Sequence, residues 1–490
     1  MDNHNHSTTM ISGERVVIKG GNFTQNFAIS DQNRGEPLSL IHGCYVLTQS
    51  FSAEFTILKD NVAHTAFHDS GARFDPPKCH PNTRVAVLKK IMDWARHSDW
   101  DSWYRHIMWL TGAAGAGKSA IAQSIIELCI AEGLVVASFF FFRSDGTRNH
   151  GKSLISTIAY QIFFSVPAAQ HGILSAIGND PLIFTKTLHH QFNKLIIQPL
   201  RNSYKELETL DEPWNCGLVV IDGLDECLDP DTQRQILNML CDEIHEYRLP
   251  IIFLVASRPE HAINTVFNSK PMAGIYARLY LDDTFKPDDD IRTFLTDSFE
   301  EIKTSHPFKS QIPVSWPIPE AISSIVKKSS GQFIYAATVV RYVRSIRRLP
   351  HHQLDIVLNL RPAEGDLPFA QLDALYTLIL SSAENIERVL YVLSVYSLPV
   401  VSLFDIDIVT FMSLGKGELD ILFCDLQALV TIDLGSEAHT WIPTQRIRNL
   451  HASLHDFLLD PVRSKDYFIN IENYRTRHVT NILQYLAEGK

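Results

Sequence analysis

The stretch Thr111 to Ser119, TGAAGAGKS, constrains this chain more than any other. Gly112, Gly117, Lys118 and Ser119 stand at the spacing of a loop that wraps a phosphate group. Ordinary Gly and Lys usage produces that pattern by chance on the order of one per cent in a chain of this length. About a hundred residues on, GLVVIDGLDE at 217–226 supplies an apolar strand that ends in a carboxylate. Together the two motifs demand a strand, a Gly-rich turn and a helix, then a second strand that delivers its acid to the same sheet edge. The expected class is α/β: a P-loop fold built on a parallel five-stranded sheet with helices on both faces.

Each residue of the pair has a chemical reason. Gly112, Gly115 and Gly117 let the loop curl so that backbone N–H groups point at phosphate oxygens. The helix that starts near Lys118 adds its positive end. Lys118 places a point charge on the β- and γ-phosphates, and Ser119 offers its hydroxyl to Mg²⁺. Ala113, Ala114, Ala116 and Ala120 complete the nucleotide-binding set. Asp222 ends its strand at the carboxyl edge and is expected to hold Mg²⁺ through water. The next residue is Gly223, where many ATPases place a catalytic Glu. Asp225 and Glu226 follow, with Glu226 the first choice for orienting or deprotonating the attacking water and Asp225 behind it. Arg258 leaves the end of the strand at 251–256, within reach of a γ-phosphate it would sense. A solvated Arg is the plainer alternative there. Asn193-Lys194 lacks the Asp of a guanine-reading motif, so ATP and ADP are expected rather than GTP.

Length and charge narrow the rest. At 490 residues the chain exceeds one core, and about two to four domains are expected. A formal charge of −11 argues against wrapping nucleic acid by bulk electrostatics. Seven cysteines without a CxxC pair read as free thiols of a reducing compartment. The opening MDNHNHSTTM has no basic, apolar leader, and the longest apolar run, 133–142, is half a membrane span. A soluble, cytoplasmic protein is expected.

Strand and helix patterns alternate from about residue 105. Strands are expected at 106–110, 134–142, 218–221, 251–256 and 275–281, and helices from Lys118, Lys152, Thr187 and Asp231. Ahead of them, Asn82 or Thr83 is expected to cap a helix with an apolar face of Val85, Leu88, Ile91, Met92 and Ala95. Beyond Leu281 the periodicity becomes helical at 288–303, 318–328, 333–347, 370–381, 383–397, 403–413 and 417–429. Short strands at 430–433 and 440–442 around a turn at 434–437 outline a winged helix. Residues 1–60 fit either a short β-rich piece or a disordered leader.

The form of the second motif, with a tiny residue directly after the metal Asp, resembles the NACHT branch of the signal-transducing (STAND) P-loop ATPases. FDPPKCHPNTRVAVLKKIMDW (74–94), ASFFFFRSDGTRN (137–149), SSGQFIYAATVVRYV (329–343), PFAQLDALYTLIL (368–380) and LHASLHDFLLDPVRS (450–464) resemble the large fungal set of NACHT proteins. The resemblance covers roughly residues 70–475. It implies a leader of unknown role at 1–65, a linker and helix at 66–104 and an NTPase domain at 105–284. A helical domain at 285–365, a winged-helix domain at 366–475 and a tail at 476–490 follow. In the family's winged-helix motif FxHxSxQEF a His reaches the β-phosphate of ADP. Residues 450–457 match it, and His451 inherits that role; Leu450 replaces Phe and His455-Asp456 replaces Gln-Glu. On spacing alone a His beside the stripe Leu450, Leu454, Phe457 and Leu458 is more often structural. Thr83 and Arg84 fall in the family's segment near the adenine.

The resemblance further implies an ADP/ATP switch with slow hydrolysis, homo-oligomeric when activated, in fungal innate-immunity-like or heterokaryon-incompatibility signalling. Its sensor and effector partners are unnamed by the sequence. Such switches carry a C-terminal repeat array, which does not occur before Lys490, so either a partner senses or the form is short. Two alternatives stay open: a conventional ATPase enzyme, or a nucleotide-binding scaffold without hydrolysis. A third, nucleic-acid binding by the winged helix, meets a mixed surface: Arg446, Arg448, Arg463, Lys465, Arg475 and Arg477 among Asp456, Asp460, Asp466 and Glu472.

Overall fold

The computed structural model describes residues 52–71, 73, 76–96, 105–208, 217–246, 251–360, 369–395, 412, 414–415, 417–435, 444–449 and 451–487. Strands β1 (Ile107–Thr111), β2 (Val135–Phe140), β3 (Gly217–Asp222), β4 (Ile251–Ser257) and β5 (Tyr276–Tyr280) form one parallel sheet in the order β2-β3-β4-β1-β5. β1, β3 and β4 are buried at every position. Strands covered on both faces have no polar face to show, so they read as unbroken apolar runs.

Successive side chains still go to opposite faces. Ile107, Trp109, Val219, Ile221, Phe253 and Val255 pack into one core, with the helix Leu154–Ser165. Met108, Leu110, Leu218, Val220, Ile252 and Leu254 pack into a second, against the helices Val85–Ala95 and Lys118–Ala131. The strand order matters for the site. β4 lies between β1 and β3, with Thr111 opposite Ser257 and Asp222 opposite Ala256. The phosphate loop, Arg258 and Asp222 therefore leave three neighbouring strand ends on one sheet edge.

The chain after β5 builds a separate apolar core from helices including Pro287–Ser305, Pro319–Ser329, Phe333–Val343, Ala370–Leu380 and Ile386–Val395. An antiparallel hairpin of β6 (Val430–Gly435) and β7 (Thr444–Asn449) joins it, followed by the helix Ala452–Leu458. Leu454, Phe457 and Leu458 are buried as the stripe requires, while Leu450 lies outside the described residues.

Several expectations shift. The helix Val85–Ala95 is capped by neither Asn82 nor Thr83. Arg84 is the cap, at φ 55°, and makes no side-chain cap bond because its guanidinium only donates, while Asp290 Oδ2 takes the Arg84 N–H at 3.1 Å. Thr83 donates its hydroxyl to His80 O instead. Residues 440–442 and the helix expected at 403–413 lie outside the described residues, and the second hairpin strand is Thr444–Asn449. The helix expected over 417–429 is confined to Glu418–Phe423. Within the leader, Ala53–Asp60 is a helix whose Ser52 hydroxyl accepts the Phe55 N–H, a cap worth about 1 kcal/mol. Its Phe55 and Leu58 enter the first sheet core, each stabilising by roughly 1.5–3 kcal/mol.

Candidate functional site

The loop after β1 turns on two glycines in the left-handed region, Gly115 at φ 75° and Gly117 at φ 91°. Gly117 also opens the helix Lys118–Ala131, so the helix N-terminus faces the loop's concavity. Lys118 folds back over the loop, its Nζ donating to Gly112 O and Ala113 O at 2.9 Å each. Burial lowers its pKa, and Asp225, Asp222 and Glu226 partly restore it while Arg258 opposes them. An ammonium satisfied only by two carbonyls beside three carboxylates is poised for a stronger anion.

Gly115 and Ala116 are held from outside the loop. Ile334 N–H donates to Gly115 O at 3.3 Å, and a side chain at Gly115 would collide with that of Ile334. Arg84 Nη2 donates to Ala116 O at 3.0 Å while its guanidinium lies 4.9 Å from the Phe333 ring centre. Ala113 is exposed, Ala114 is buried beside it, and Ala120 sits in the first turn of the helix.

Asp222 is 4% exposed, and its Oδ1 has no hydrogen-bond partner. Burial pushes its pKa up to about 6, against the pull of the Ser119 hydroxyl, Arg73 and Lys118. A buried carboxylate oxygen left without a donor, one hydroxyl away from Ser119, is the chemistry of a hard-cation site. The pair fits Mg²⁺. Gly223 explains why no acid follows Asp222. Its φ is 70°, its N–H donates to Ala256 O, and an added Cβ would stand 3.2 Å from Phe141 O.

The two following acids are used differently. Asp225 gives both oxygens to Arg258, Oδ1 to the backbone N–H at 2.9 Å and Oδ2 to Nε at 3.1 Å. Glu226 holds the backbone N–H of Arg143 at 3.1 Å through Oε2. Burial and then the Asp225 charge raise Glu226 to about 7. A carboxyl near neutrality is matched to proton transfer, whereas an acid that holds both the backbone N–H and the Nε of one Arg positions that guanidinium.

The late motif comes to the same edge. His451 caps the helix Ala452–Leu458, its Nδ1 accepting the Ser453 N–H at 3.0 Å. Ser453 Oγ lies 2.6 Å from the same nitrogen and 2.7 Å from Tyr376 Oη. Burial, Arg258 and Lys118 lower His451 to about 3, so the ring is neutral. With Nδ1 an acceptor, the proton sits on Nε2, which is left as a donor. An imidazole that feels both Lys118 and Arg258 is part of the phosphate edge. Asp456, one turn on, closes the circuit: its Oδ2 accepts from Arg258 Nη1 at 2.7 Å, and its Oδ1 is 3.7 Å from Arg143 Nη1.

Sequence reasoning missed Arg143, Tyr376 and the pairing of Asp456. Arg143 has a signal of the kind that found Arg258, a basic residue just past a strand of the same sheet. The other two join through tertiary packing of the later helical region and leave no pattern. Asn193 and Lys194 lie in a π-helical turn, with Asn193 Nδ2 on the buried Glu243 at 3.0 Å. Arg463 is committed to Asp373 and Arg477 to the Tyr391 ring, so these basic residues of the last stretch are paired internally. No helix of the described residues is long and apolar enough to cross a membrane.

Residues 88–258 match the model of the family described as Nephrocystin 3, N-terminal. That span holds the phosphate loop, Asp222, Glu226 and Arg258. Comparison with curated proteins finds no match. Among solved structures, the Walker-type ATPase PABY2304 of Pyrococcus abyssi is 14% identical, covering 76% of this chain and 96% of its own at a TM-score of 0.37. The Drosophila ORC bound to DNA is 12% identical, covering 87% and 95% at 0.32. The Aeropyrum pernix ORC1 protein in complex with DNA is 12% identical, covering 80% and 93% at 0.34.

Proposed function

We propose that the chain is a nucleotide-controlled switch of the NACHT type, closed on ADP, opened by exchange for ATP and reset by slow hydrolysis. One observation carries the reading: the helix Ala452–Leu458, far downstream of the phosphate loop, brings an ion pair and a neutral His donor to the edge that bears Lys118, Arg258 and Asp222. A dedicated enzyme has little use for a lid that grips its sensor arginine. A switch needs such a contact, because nucleotide moves an equilibrium only if it binds the two forms with different free energies.

In this reading Gly112 to Ser119 wrap the phosphates, and Lys118 exchanges its carbonyl contacts for phosphate oxygens. Ser119 and Asp222 hold Mg²⁺, which when bound neutralises charge on the β- and γ-phosphates. Glu226 takes the proton of the attacking water, and Asp225 aims Arg258 at the terminal phosphate. His451 donates to the β-phosphate from Nε2 without needing protonation. Activated copies associate, and partners for sensing and output lie elsewhere in a cytoplasmic pathway.

The test is to identify co-purifying nucleotide and compare ADP and ATP affinity, turnover and particle size in solution. The expected results are bound ADP, loss of both nucleotides in Lys118→Ala, faster ADP release in His451→Ala and growth in size with ATP. Turnover near the roughly 10 s⁻¹ of ordinary enzymes would instead favour a conventional ATPase. Unchanged ADP retention in His451→Ala would remove the latch.

A further inference from the structure

We infer that Asp456 is a specificity-determining residue of the nucleotide site: its carboxylate fills the anion seat of a terminal phosphate and makes the closed form selective for a diphosphate. The inference rests on the reading that the P-loop holds ADP or ATP.

Arg258 offers a fork of donors, and the fork is divided. Nε and the backbone N–H are taken by Asp225, a neighbour on the same sheet edge. Nη1 is taken by Asp456 of the lid. Arg143, the second guanidinium of this edge, meets Asp456 at 3.7 Å and Glu260 at 3.9 Å. Asp225, Glu226, Glu260 and Asp456 thus surround Arg258, Arg143 and Lys118, with acids already in excess of bases. Burial first, and then the Asp225 charge, raise both Glu226 and Glu260, while Arg258 pulls them down.

A terminal phosphate that reaches Arg258 must compete for Nη1. Carboxylate and phosphate oxygens both accept from the planar Arg fork, and two anions on one donor repel. A diphosphate stops short of that seat and leaves Asp456 undisturbed. The helix bearing Asp456 is fixed at its start by His451 and Ser453, the latter bonded to Tyr376. A phosphate at Arg258 breaks the ion pair that ties this helix to the sheet edge, which couples recognition of the third phosphate to release of the helix.

The experiment measures dissociation constants of ADP and of the non-hydrolysable triphosphate AMP-PNP, with Mg²⁺, on the full chain. In Asp456→Asn, which keeps size but not charge, the ratio of AMP-PNP to ADP affinity should rise about tenfold. Asp456→Glu, which keeps the charge, should hold the ratio near that of the wild type. A merely structural role would weaken both nucleotides together and leave the ratio alone. If the wild type binds both and Asp456→Asn leaves the ratio unchanged, this inference falls while the switch reading stands. If the wild type binds neither, the switch reading falls and takes this one with it.

Discussion

A proton delivered to His451 should loosen the lid, and the size of the effect follows from its surroundings. Burial, Arg258 and Lys118 lower its pKa from 6.5 to about 3. A folded-state pKa below the unfolded value means the unfolded helix binds protons first. Stability is therefore complete above pH 6.5 and drains away as pH falls toward 3. At pH 5 the loss from this one ring reaches about 2 kcal/mol in full, and part of the ring meets solvent, so about 1–2 kcal/mol is expected. The control is His451→Asn. Asn is a good N-cap and can still accept the Ser453 N–H, but it does not titrate. The assay is hydrogen exchange of the amides in Ala452–Leu458 on the full chain between pH 6.5 and 5, corrected for intrinsic exchange. Wild type should lose about 5- to 30-fold in protection relative to the variant over that range. Equal pH slopes in the two proteins would refute the neutral, Nδ1-accepting ring, since other titrating groups are common to both.

Other substitutions probe the phosphate edge. Gly223→Glu supplies the acid that many ATPases carry after the metal Asp, yet φ 70° and Phe141 O at 3.2 Å oppose any side chain. It should lower stability by about 1–2 kcal/mol without raising turnover, and a gain in ATP hydrolysis would contradict this. Asp222, raised to about 6, must lose its proton to bind Mg²⁺. Mg²⁺ affinity should fall about tenfold per pH unit below 6, and titration calorimetry of Asp222→Asn should show no such dependence. Gly115→Ala should cost about 2–5 kcal/mol from the left-handed backbone and the collision with Ile334, and a double-mutant cycle by thermal unfolding should show part of that cost recovered in an Ile334→Ala background. No recovery would mean that the loop, not its joint with the helical region, carries the strain.

The sheet and the loop were legible because both faces of β1, β3 and β4 are covered. That burial writes continuous apolar runs, and the positive-φ turns write glycines at 115, 117 and 223. Asp222 and Arg258 were legible as the first charged residues past such runs. The helix Ala53–Asp60 was not, since two buried side chains and one cap make too short a pattern against a polar leader. The start of Val85–Ala95 was misjudged because Asp290, about two hundred residues away, takes the Arg84 N–H and fixes the cap. The division of labour between Asp225 and Glu226 depends on where Arg258 turns. Asp456 read as one acid in a mixed surface, for its partners lie on other strands.

The lid's attachment differs in kind from the cores it joins. The apolar cluster that begins at Ile291 is distinct from the two that flank the sheet. What crosses between them at the phosphate edge is polar. Ile334 N–H meets Gly115 O, Arg84 links Ala116 O to the Phe333 ring, and Asp456 meets Arg258. An ordinary hydrogen bond contributes about 0.5–1.5 kcal/mol net and a charge-assisted one about 1.5–3 kcal/mol. The Asp456–Arg258 bond, the one of these that a phosphate at Arg258 would displace, comes to about 1.5–3 kcal/mol. Inverting a two-state population from 1:99 to 99:1 needs about 5.5 kcal/mol. In the proposed switch, loss of that bond supplies part of this difference, and the contacts of the phosphate itself must supply the rest. A polar joint of this kind is what the proposed switch requires.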